Sequence, residues 1–252
     1  MIIDADVHIS PYKGDDRIQS ETLINLMDRN NIEKAVTWLQ PTHTREIKAS
    51  NKYIYDSMNQ YPDKLLGFGW TDPNLGLEYA LNEAKKCLYE YDLYGVKLNG
   101  AQNNFFIDDP DISIPIIEEV AKSGKILALH VGADAIEKTH PFRVAKIADK
   151  FPELKILAVH MGGVVKPDLG ISMIEFAKEY NNIILVGSKI PPKKVLKAIK
   201  ILGPDRVCYG SDTPFTLMRV ELAKYRALLE NEVKEEDINK IMGKNIKNLF
   251  AL

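Results

Sequence analysis

The chain has 252 residues, of which 45% are hydrophobic and 27% are charged, and its formal net charge is −2. This ordinary globular composition, with a charge near zero, gives no basis for binding nucleic acid or an anionic membrane. Two cysteines do not make a disulfide framework, and neither a signal peptide nor an apolar run near the roughly 20 residues of a membrane span is visible. We therefore expect a cytoplasmic protein whose partner is a small molecule.

Short apolar runs recur along the chain, and each is followed by a longer segment with helical periodicity. In chain order the runs are "IIDADVH" (2–8), "KAVTWL" (34–39), "KLLGFGW" (64–70), "YGVKLNG" (94–100), "KILALHVG" (125–132), "KILAVHMG" (155–162), "IILVGS" (183–188) and "RVCYGS" (206–211). Near-continuous apolar runs are typical of parallel strands that helices cover on both faces.

Three of the intervening segments show the helical pattern most clearly. They are "DISIPIIEEVAKSG" (111–124), where Gly124 is expected to end the helix, "PKKVLKAIKILG" (192–203) and the closing "EEDINKIMGKNIKNLFAL" (235–252). Eight strand–helix units predict an α/β fold, a (β/α)8 TIM barrel forming one domain over residues 1–252. A doubly wound open sheet is the alternative, but no GxGxxG turn follows the first strand, which counts against dinucleotide binding.

Polar side chains stand where several of these strands end. Asp6 and His8 end the first strand on one face, His130 ends the fifth, His160 the sixth and Asp212 the eighth. The carboxyl ends of barrel strands form the active site in this fold. A single histidine at a strand end is more often a loop residue, but the whole set is hard to explain by packing. Carboxylate and imidazole together predict a divalent metal site.

Asp4 also shares this face by strict alternation along the first strand. It lies deeper in the strand than Asp6 and His8. We therefore expect Asp4 to be a buried structural carboxylate, hydrogen-bonded near the bottom of the barrel.

In this order, the motifs resemble the amidohydrolase superfamily. The similar branch is that of amidohydrolase-related proteins, which includes aminocarboxymuconate-semialdehyde decarboxylase and related aromatic-acid decarboxylases, and the resemblance runs from "IIDADVH" through "LALHVG", "LAVHMGG" and "RVCYGSDTPF" to the closing segment. It implies that Asp6, His8, His130 and Asp212 hold one metal ion. It also implies that His160 and Asp212 are catalytic, with Asp212 exchanging a proton with metal-bound water.

Asp6 departs from the family's usual opening pattern, Asp-x-His-x-His, in which a histidine stands at this position. Some decarboxylases of the branch carry a glutamate there, so an acidic ligand is compatible with the family. The expected cofactor is one divalent ion, zinc first and manganese next, and the added carboxylate moves the preference towards manganese.

Candidate substrate-binding residues are Lys97 on the fourth strand, Trp70 after the third, His43 and Arg45 in the second loop and Arg143 in the fifth. Arginine pairs with carboxylates in bidentate geometry, so an anionic substrate is expected, although a surface ion pair is the commoner role of an arginine. Lys97 has three interpretations: a carboxylated ligand as in binuclear members of the superfamily, a charged group facing the substrate, or a buried structural lysine.

Three functions remain open from the sequence. The preferred one is a metal-dependent hydrolase of a small ester, lactone or amide, because the chain lacks the long insertions that cover the site in many decarboxylases of the branch. The alternative is a non-oxidative decarboxylase of a small aromatic or unsaturated carboxylic acid. A non-catalytic metal-binding barrel is the third. The sequence does not fix the oligomer, although homodimers are common among soluble enzymes.

Overall fold

The structure is a computed structural model that describes residues 1–40 and 46–252, so His43 and Arg45 lie outside the described residues. Strands and helices alternate along the chain. In order they are β1 (Ile3–Ile9), α1 (Ser20–Asn30), β2 (Lys34–Leu39), α2 (Ile47–Gln60), β3 (Leu65–Gly67), β4 (Gly69–Trp70), α3 (Leu77–Lys85), β5 (Gly95–Leu98), α4 (Ile114–Lys122), β6 (Ile126–His130), α5 (Pro141–Lys150), β7 (Ile156–Val159), α6 (Leu169–Glu179), β8 (Ile183–Val186), α7 (Pro192–Leu202), β9 (Val207–Cys208), α8 (Met218–Leu229), α9 (Glu235–Asn239) and α10 (Asn245–Leu249).

The strands pair in parallel and close into a barrel. Hydrogen-bonded ladders join β1 to β2 and β3, and β4 through to β9 in sequence order. Phe68 N donates to Thr37 O at 2.8 Å, so β3 and β4 together form the third barrel strand. The ring closes where Val7 bridges Thr213 beyond the end of β9. The fold is therefore the predicted TIM barrel, and the open sheet is excluded.

The interior is apolar because the strands are covered on both sides, as their sequences predict. In α4 the predicted stripe of Ile116, Ile117 and Val120 is buried, and Gly124 takes a left-handed φ of 69° just beyond the helix. No helix in the described ranges is long and apolar enough to cross a membrane.

The closing segment differs from the single helix predicted over 235–252. The structure has α9, a turn of π-helix over Lys240–Lys244, and α10, with Gly243 in a non-helical conformation (φ 179°, ψ −33°) at the break. A Cβ at Gly243 would lie 3.0 Å from both Ile3 N and Met1 O. The helix is interrupted because its backbone packs directly against the start of β1.

β1 also departs from strict alternation. Its register against β2 shifts between Asp4 and Val7, so Asp4, Asp6 and His8 do not form the uninterrupted row that the sequence predicts. Asp4 bonds instead to backbone amides at the closure of the barrel, whereas Asp6 and His8 lie together at the carboxyl ends of the strands.

Candidate active site

A cavity of about 260 Å³ lies at the carboxyl ends of the barrel strands. Its lining combines imidazoles, carboxyl groups, amides, one ammonium group and one aromatic ring. The residues are His8, Asn99, Gln102, His130, Ala133, Asp134, His160, Val164, Lys189, Asp212 and Phe215. Polar groups that converge in a concave, partly apolar pocket are typical of a small-molecule site.

Three residues of the described chain offer ligand atoms that lie within 4.8 Å of one another: Asp6, His160 and Asp212. His8 adjoins them, with Nε2 3.7 Å from Asp6 Oδ1 and 3.6 Å from Asp212 Oδ1. Asp6 Oδ1 is buried and has no hydrogen-bond partner among the described residues. A buried carboxylate oxygen that accepts no hydrogen bond is available to a cation, and together with the second carboxyl group and the imidazoles it forms a donor set that fits a divalent ion.

The ring of His8 is oriented by its other nitrogen. Nδ1 lies 2.8 Å from the carbonyl oxygen of Leu39, which places the ring proton on Nδ1 and the lone pair on Nε2. Trp38 Nε1 donates a hydrogen bond of 3.0 Å to this Nε2. Burial, together with the nearby Lys97 ammonium, holds the pKa of His8 well below its ordinary value, so the imidazole is neutral.

Lys97 is fully buried beside Asp6 and does not line the cavity. Its Nζ lies 3.7 Å from Asp6 Oδ1 and 3.6 Å from the centre of the Trp38 ring. Burial lowers the pKa of Lys97 to about 8. Burial alone would raise the pKa of Asp6, but the ammonium and the neighbouring imidazoles outweigh it and lower that pKa to about 2. The structure thus brings Lys97 to an ion pair with Asp6, which matches the buried-lysine interpretation.

The two strand-end histidines have different surroundings. His160 Nδ1 lies 3.0 Å from Ser188 Oγ and 3.9 Å from Asp6 Oδ2, which places His160 in the group that could hold an ion. His130 lies outside that group; its Nε2 is 3.5 Å from Asp134 Oδ2, and like Asp6 Oδ1 it is buried without a hydrogen-bond partner among the described residues. Burial lowers the pKa of His130 to about 4. The sequence predicts the other assignment, with His130 as the ligand and His160 as the catalytic histidine, and which of the two binds an ion stays a prediction.

Asp212 and Lys189 form an ion pair in the cavity, with Nζ 2.9 Å from Oδ2. Burial and the nearby Asp6 carboxylate raise the pKa of Asp212 above its ordinary value. Asp212 has a left-handed φ of 59°, which is uncommon for a residue with a side chain. The pair gives the cavity an ammonium group next to a carboxyl group whose pKa is raised.

None of the three predicted substrate residues that the structure describes, Lys97, Trp70 and Arg143, lines this cavity. Trp70 is buried, and its Nε1 donates to Asn103 Oδ1 at 2.8 Å. Arg143 pairs with Asp108 and lies over the ring of Phe106, in a different surface depression. A local acid neutralises the arginine, so it is not free to bind a substrate anion in the cavity.

Sequence reasoning missed Ser188 and Lys189, although Ser188 ends the seventh predicted run and Lys189 directly follows it. Ser188 Oγ donates to Asp6 Oδ2 and contacts His160, and Lys189 supplies the cation of the cavity. The strand-end rule that selected the histidines would also have selected these two residues. They were missed because neither is a preferred metal ligand.

A parallel eight-stranded barrel that gathers carboxyl groups and imidazoles at the carboxyl ends of its strands defines a TIM-barrel protein with a candidate metal centre. Residues 3–252 match the family model described as amidohydrolase, and the chain belongs to this family.

Proteins similar to this chain include several decarboxylases. The 2-amino-3-carboxymuconate-6-semialdehyde decarboxylase of Dictyostelium discoideum is 24% identical over 216 residues, 71% of this chain, and the match spans 60% of that relative. The structure of 2,6-dihydroxybenzoate decarboxylase from Rhizobium has a TM-score of 0.80 at 19% identity, covering 99% of this chain and 98% of that one. A dihydroxybenzoic acid decarboxylase from Polaromonas, solved with manganese and 2-nitroresorcinol, has a TM-score of 0.79 at 20% identity, with coverages of 100% and 97%. At these identities the structural matches establish the shared fold.

Proposed function

We propose that the protein is a metal-dependent, non-oxidative decarboxylase of a small aromatic or unsaturated carboxylic acid. The observation that carries the proposal is the Lys189–Asp212 pair, a cation and a protonatable carboxyl group 2.9 Å apart in one cavity. Decarboxylation needs both, one to hold the substrate anion and one to deliver a proton. The named relatives are decarboxylases, and hydrolysis, which the sequence favoured, gains no support from them.

The cavity sets the size and charge of the substrate. A volume of about 260 Å³ suits a single ring or a short unsaturated chain. Lys189 Nζ can bind the substrate carboxylate once it leaves Asp212 Oδ2, and the side chains of Asn99 and Gln102 can hydrogen-bond ring substituents. Phe215, whose ring centre is 5.3 Å from that of His8, provides an apolar wall for the substrate.

Asp212 is the proposed proton donor. Burial and the neighbouring Asp6 carboxylate raise its pKa above the ordinary value, the direction that a proton donor needs, and its carboxyl group lines the cavity. Asp212 would transfer the proton to the substrate carbon that bears the carboxylate. The bond between that carbon and the carboxylate then breaks, its electron pair stays with the ring or alkene, and carbon dioxide leaves. Solvent returns a proton to Asp212, and the reaction needs no oxidant.

The residues that would hold the ion are Asp6, His160 and Asp212, with His8 adjoining them. When bound, a divalent ion supplies positive charge that anchors substrate oxygens and stabilises developing negative charge. Two carboxylates make this a hard set, which favours manganese over the zinc expected first from the sequence. Lys97 would limit the negative charge on Asp6 and restrict the space to one ion.

The proposal is tested by incubating the purified protein, loaded with Mn²⁺ or Zn²⁺, with a panel of hydroxybenzoates, unsaturated carboxylates, lactones and esters. We expect release of carbon dioxide from a carboxylate, and in heavy water one deuterium at the carbon that lost it. Asp212→Asn should abolish this release. Hydrolysis of a lactone or ester without carbon dioxide would favour the hydrolase instead. A bound ion without turnover of any compound would favour the non-catalytic barrel.

A further inference from the structure

The closure of the barrel is irregular at the level of the candidate metal centre. Ala5 N donates to Tyr209 O at 3.0 Å. In a regular parallel ladder the Ser211 amide would then donate back to Ala5 O. Instead, Ser211 N donates to the Asp4 side chain, and the next amide, Asp212 N, donates to Asp6 O at 2.8 Å.

A single oxygen of Asp4 accepts hydrogen bonds from two backbone amides, one on each of the two strands that meet at this irregularity. Asp4 Oδ1 lies 2.8 Å from Ser211 N and 3.2 Å from Asp6 N, where the register of β1 shifts. Asp4 is completely buried, so water cannot replace these bonds. Buried amides without partners cost free energy comparable to a lost hydrogen bond, and the carboxylate removes that cost on two strands at once.

Both amides belong to the chain segments that carry the carboxylates of the site. One is the amide of Asp6 itself, and the other immediately precedes Asp212, whose φ of 59° is held in the left-handed region. Gly210 allows this close approach, because a Cβ there would lie 2.7 Å from Val186 Cγ1 and 3.1 Å from Asp6 Cβ. The backbone of residues 210–212 thus packs directly against β1, and the hydrogen bond from Ser211 N to Asp4 holds it there.

We propose that Asp4 is a positioning residue for Asp6 and Asp212. Asp4 sets the separation of the two carboxyl groups through the backbone hydrogen bonds that it accepts. The link to metal binding rests on the proposed function, whereas the hydrogen bonds do not. A purely structural carboxylate would support stability alone, and its loss would leave the affinity of the folded protein for an ion unchanged.

The hydrogen bonds suggest a matched set of variants. Only Oδ1 accepts these bonds, and Oδ2 has no hydrogen-bond partner among the described residues. Asp4→Asn keeps an acceptor oxygen, whereas Asp4→Leu removes it at similar volume. Ile3→Ala is the control, because Ile3 is the preceding buried residue of β1 and its side chain makes neither of these hydrogen bonds.

The first measurement is Mn²⁺ affinity, from titrations in which electron paramagnetic resonance reports the free ion. We expect Asp4→Leu to weaken Mn²⁺ binding by about tenfold or more, the usual effect of losing a group that orients metal ligands. Asp4→Asn should bind close to wild type. Ile3→Ala should lose stability and keep its affinity. Equal affinity of Asp4→Leu and wild type would overturn the proposal, as would parallel losses in Asp4→Leu and Ile3→Ala.

The second measurement is amide hydrogen exchange, which tests the two backbone hydrogen bonds and needs neither a folded Asp4→Leu variant nor a bound ion. In wild type and Asp4→Asn we expect the Ser211 and Asp6 amides to be protected like those of the neighbouring strands. Rapid exchange of the Ser211 amide in the folded wild type would overturn the proposal. The amides could also be protected in a protein that binds neither Mn²⁺ nor Zn²⁺. That result would support the two backbone hydrogen bonds. It would overturn the proposed metal-dependent function and, because positioning rests on that function, the positioning role of Asp4 as well.

Discussion

Trp38 Nε1 donates a 3.0 Å hydrogen bond to Nε2 of His8, a residue that the sequence predicts to be a metal ligand. A neutral imidazole with its proton on Nδ1 has one lone pair in the ring plane, on Nε2. The indole N–H and a metal ion therefore compete for the same lone pair. Binding of an ion at His8 requires Trp38 to give up this bond.

Trp38→Phe should therefore tighten metal binding. The variant removes a hydrogen bond of about 1 kcal/mol that stabilises the metal-free state, so affinity should rise by about fivefold. Phenylalanine keeps an aromatic face for Lys97, whose Nζ lies 3.6 Å from the Trp38 ring centre. Competition titrations with a chelator measure the change. Trp70→Phe is the control, because the other tryptophan of the chain bonds to Asn103 instead. Equal affinities in the two variants would remove His8 Nε2 from the ligand set.

His160→Ala should lose more bound metal than His130→Ala. His160 lies in the group of three residues that could share an ion, whereas His130 Nε2 faces Asp134. Loss of an outer group commonly weakens metal binding by about 10–100-fold, and loss of a ligand should cost at least as much. Elemental analysis after dialysis against dilute Mn²⁺ compares the two variants. If His130→Ala loses the same amount, the ligand set is the one predicted from the sequence.

Lys189→Met should impair binding of the carboxylate substrate. A hydrogen bond to a charged group is worth about 1.5–3 kcal/mol, so kcat/KM should fall by roughly 10–100-fold, mainly through KM. Lys189→Arg should restore part of the loss. Lys193→Met removes an exposed ammonium group from the start of α7 and should leave the kinetics unchanged. Steady-state kinetics on whichever carboxylate the panel identifies measure this, and an unchanged KM in Lys189→Met would contradict the role.

Acid should destabilise the metal-free protein partly through His130. Its pKa is lowered to about 4 in the folded state, against an ordinary value of about 6.5. The unfolded chain therefore takes up a proton between these two values and the folded protein does not. The contribution of His130 to the free energy of unfolding is therefore complete above pH 6.5. It is lost as the pH falls towards 4, by up to about 3 kcal/mol.

His130→Gln isolates this effect because glutamine does not titrate. Urea unfolding of both proteins at several pH values between 7 and 4.5 gives the free energy of unfolding of each. The advantage of wild type over His130→Gln should shrink as the pH falls. Parallel curves for the two proteins would show that His130 is not buried in its neutral form.

The barrel was predictable because its strands are continuous apolar runs, a pattern that depends only on local sequence. The same runs placed Asp6, His8, His130, His160 and Asp212 towards the carboxyl ends of the strands, where the structure has them. Local sequence does not record where a strand shifts register. The altered alternation at Asp4 and the break at Gly243 both depend on segments that meet only in the folded chain.

Partners of the long polar side chains were not predictable for the same reason. Arg143 meets Asp108, which lies 35 residues earlier in the chain, and Trp70 meets Asn103, 33 residues later. Both pairings satisfy polar groups that the sequence left free to bind substrate. Lys189 differs from Arg143 and Trp70, because its partner Asp212 also lines the cavity and the pairing therefore keeps Lys189 in the candidate site.

The ammonium of Lys97 has a consequence for how the protein would acquire its ion. The two carboxylates Asp6 and Asp212 are each paired with an ammonium group, the buried Lys97 and the partly exposed Lys189, so each has a positive neighbour without a metal. Folding therefore does not have to wait for an ion, unlike small domains whose structure forms only around one. We expect metal loading to follow synthesis and to stay reversible. The metal content of the isolated protein would then follow the supply of ions in the cell that made it.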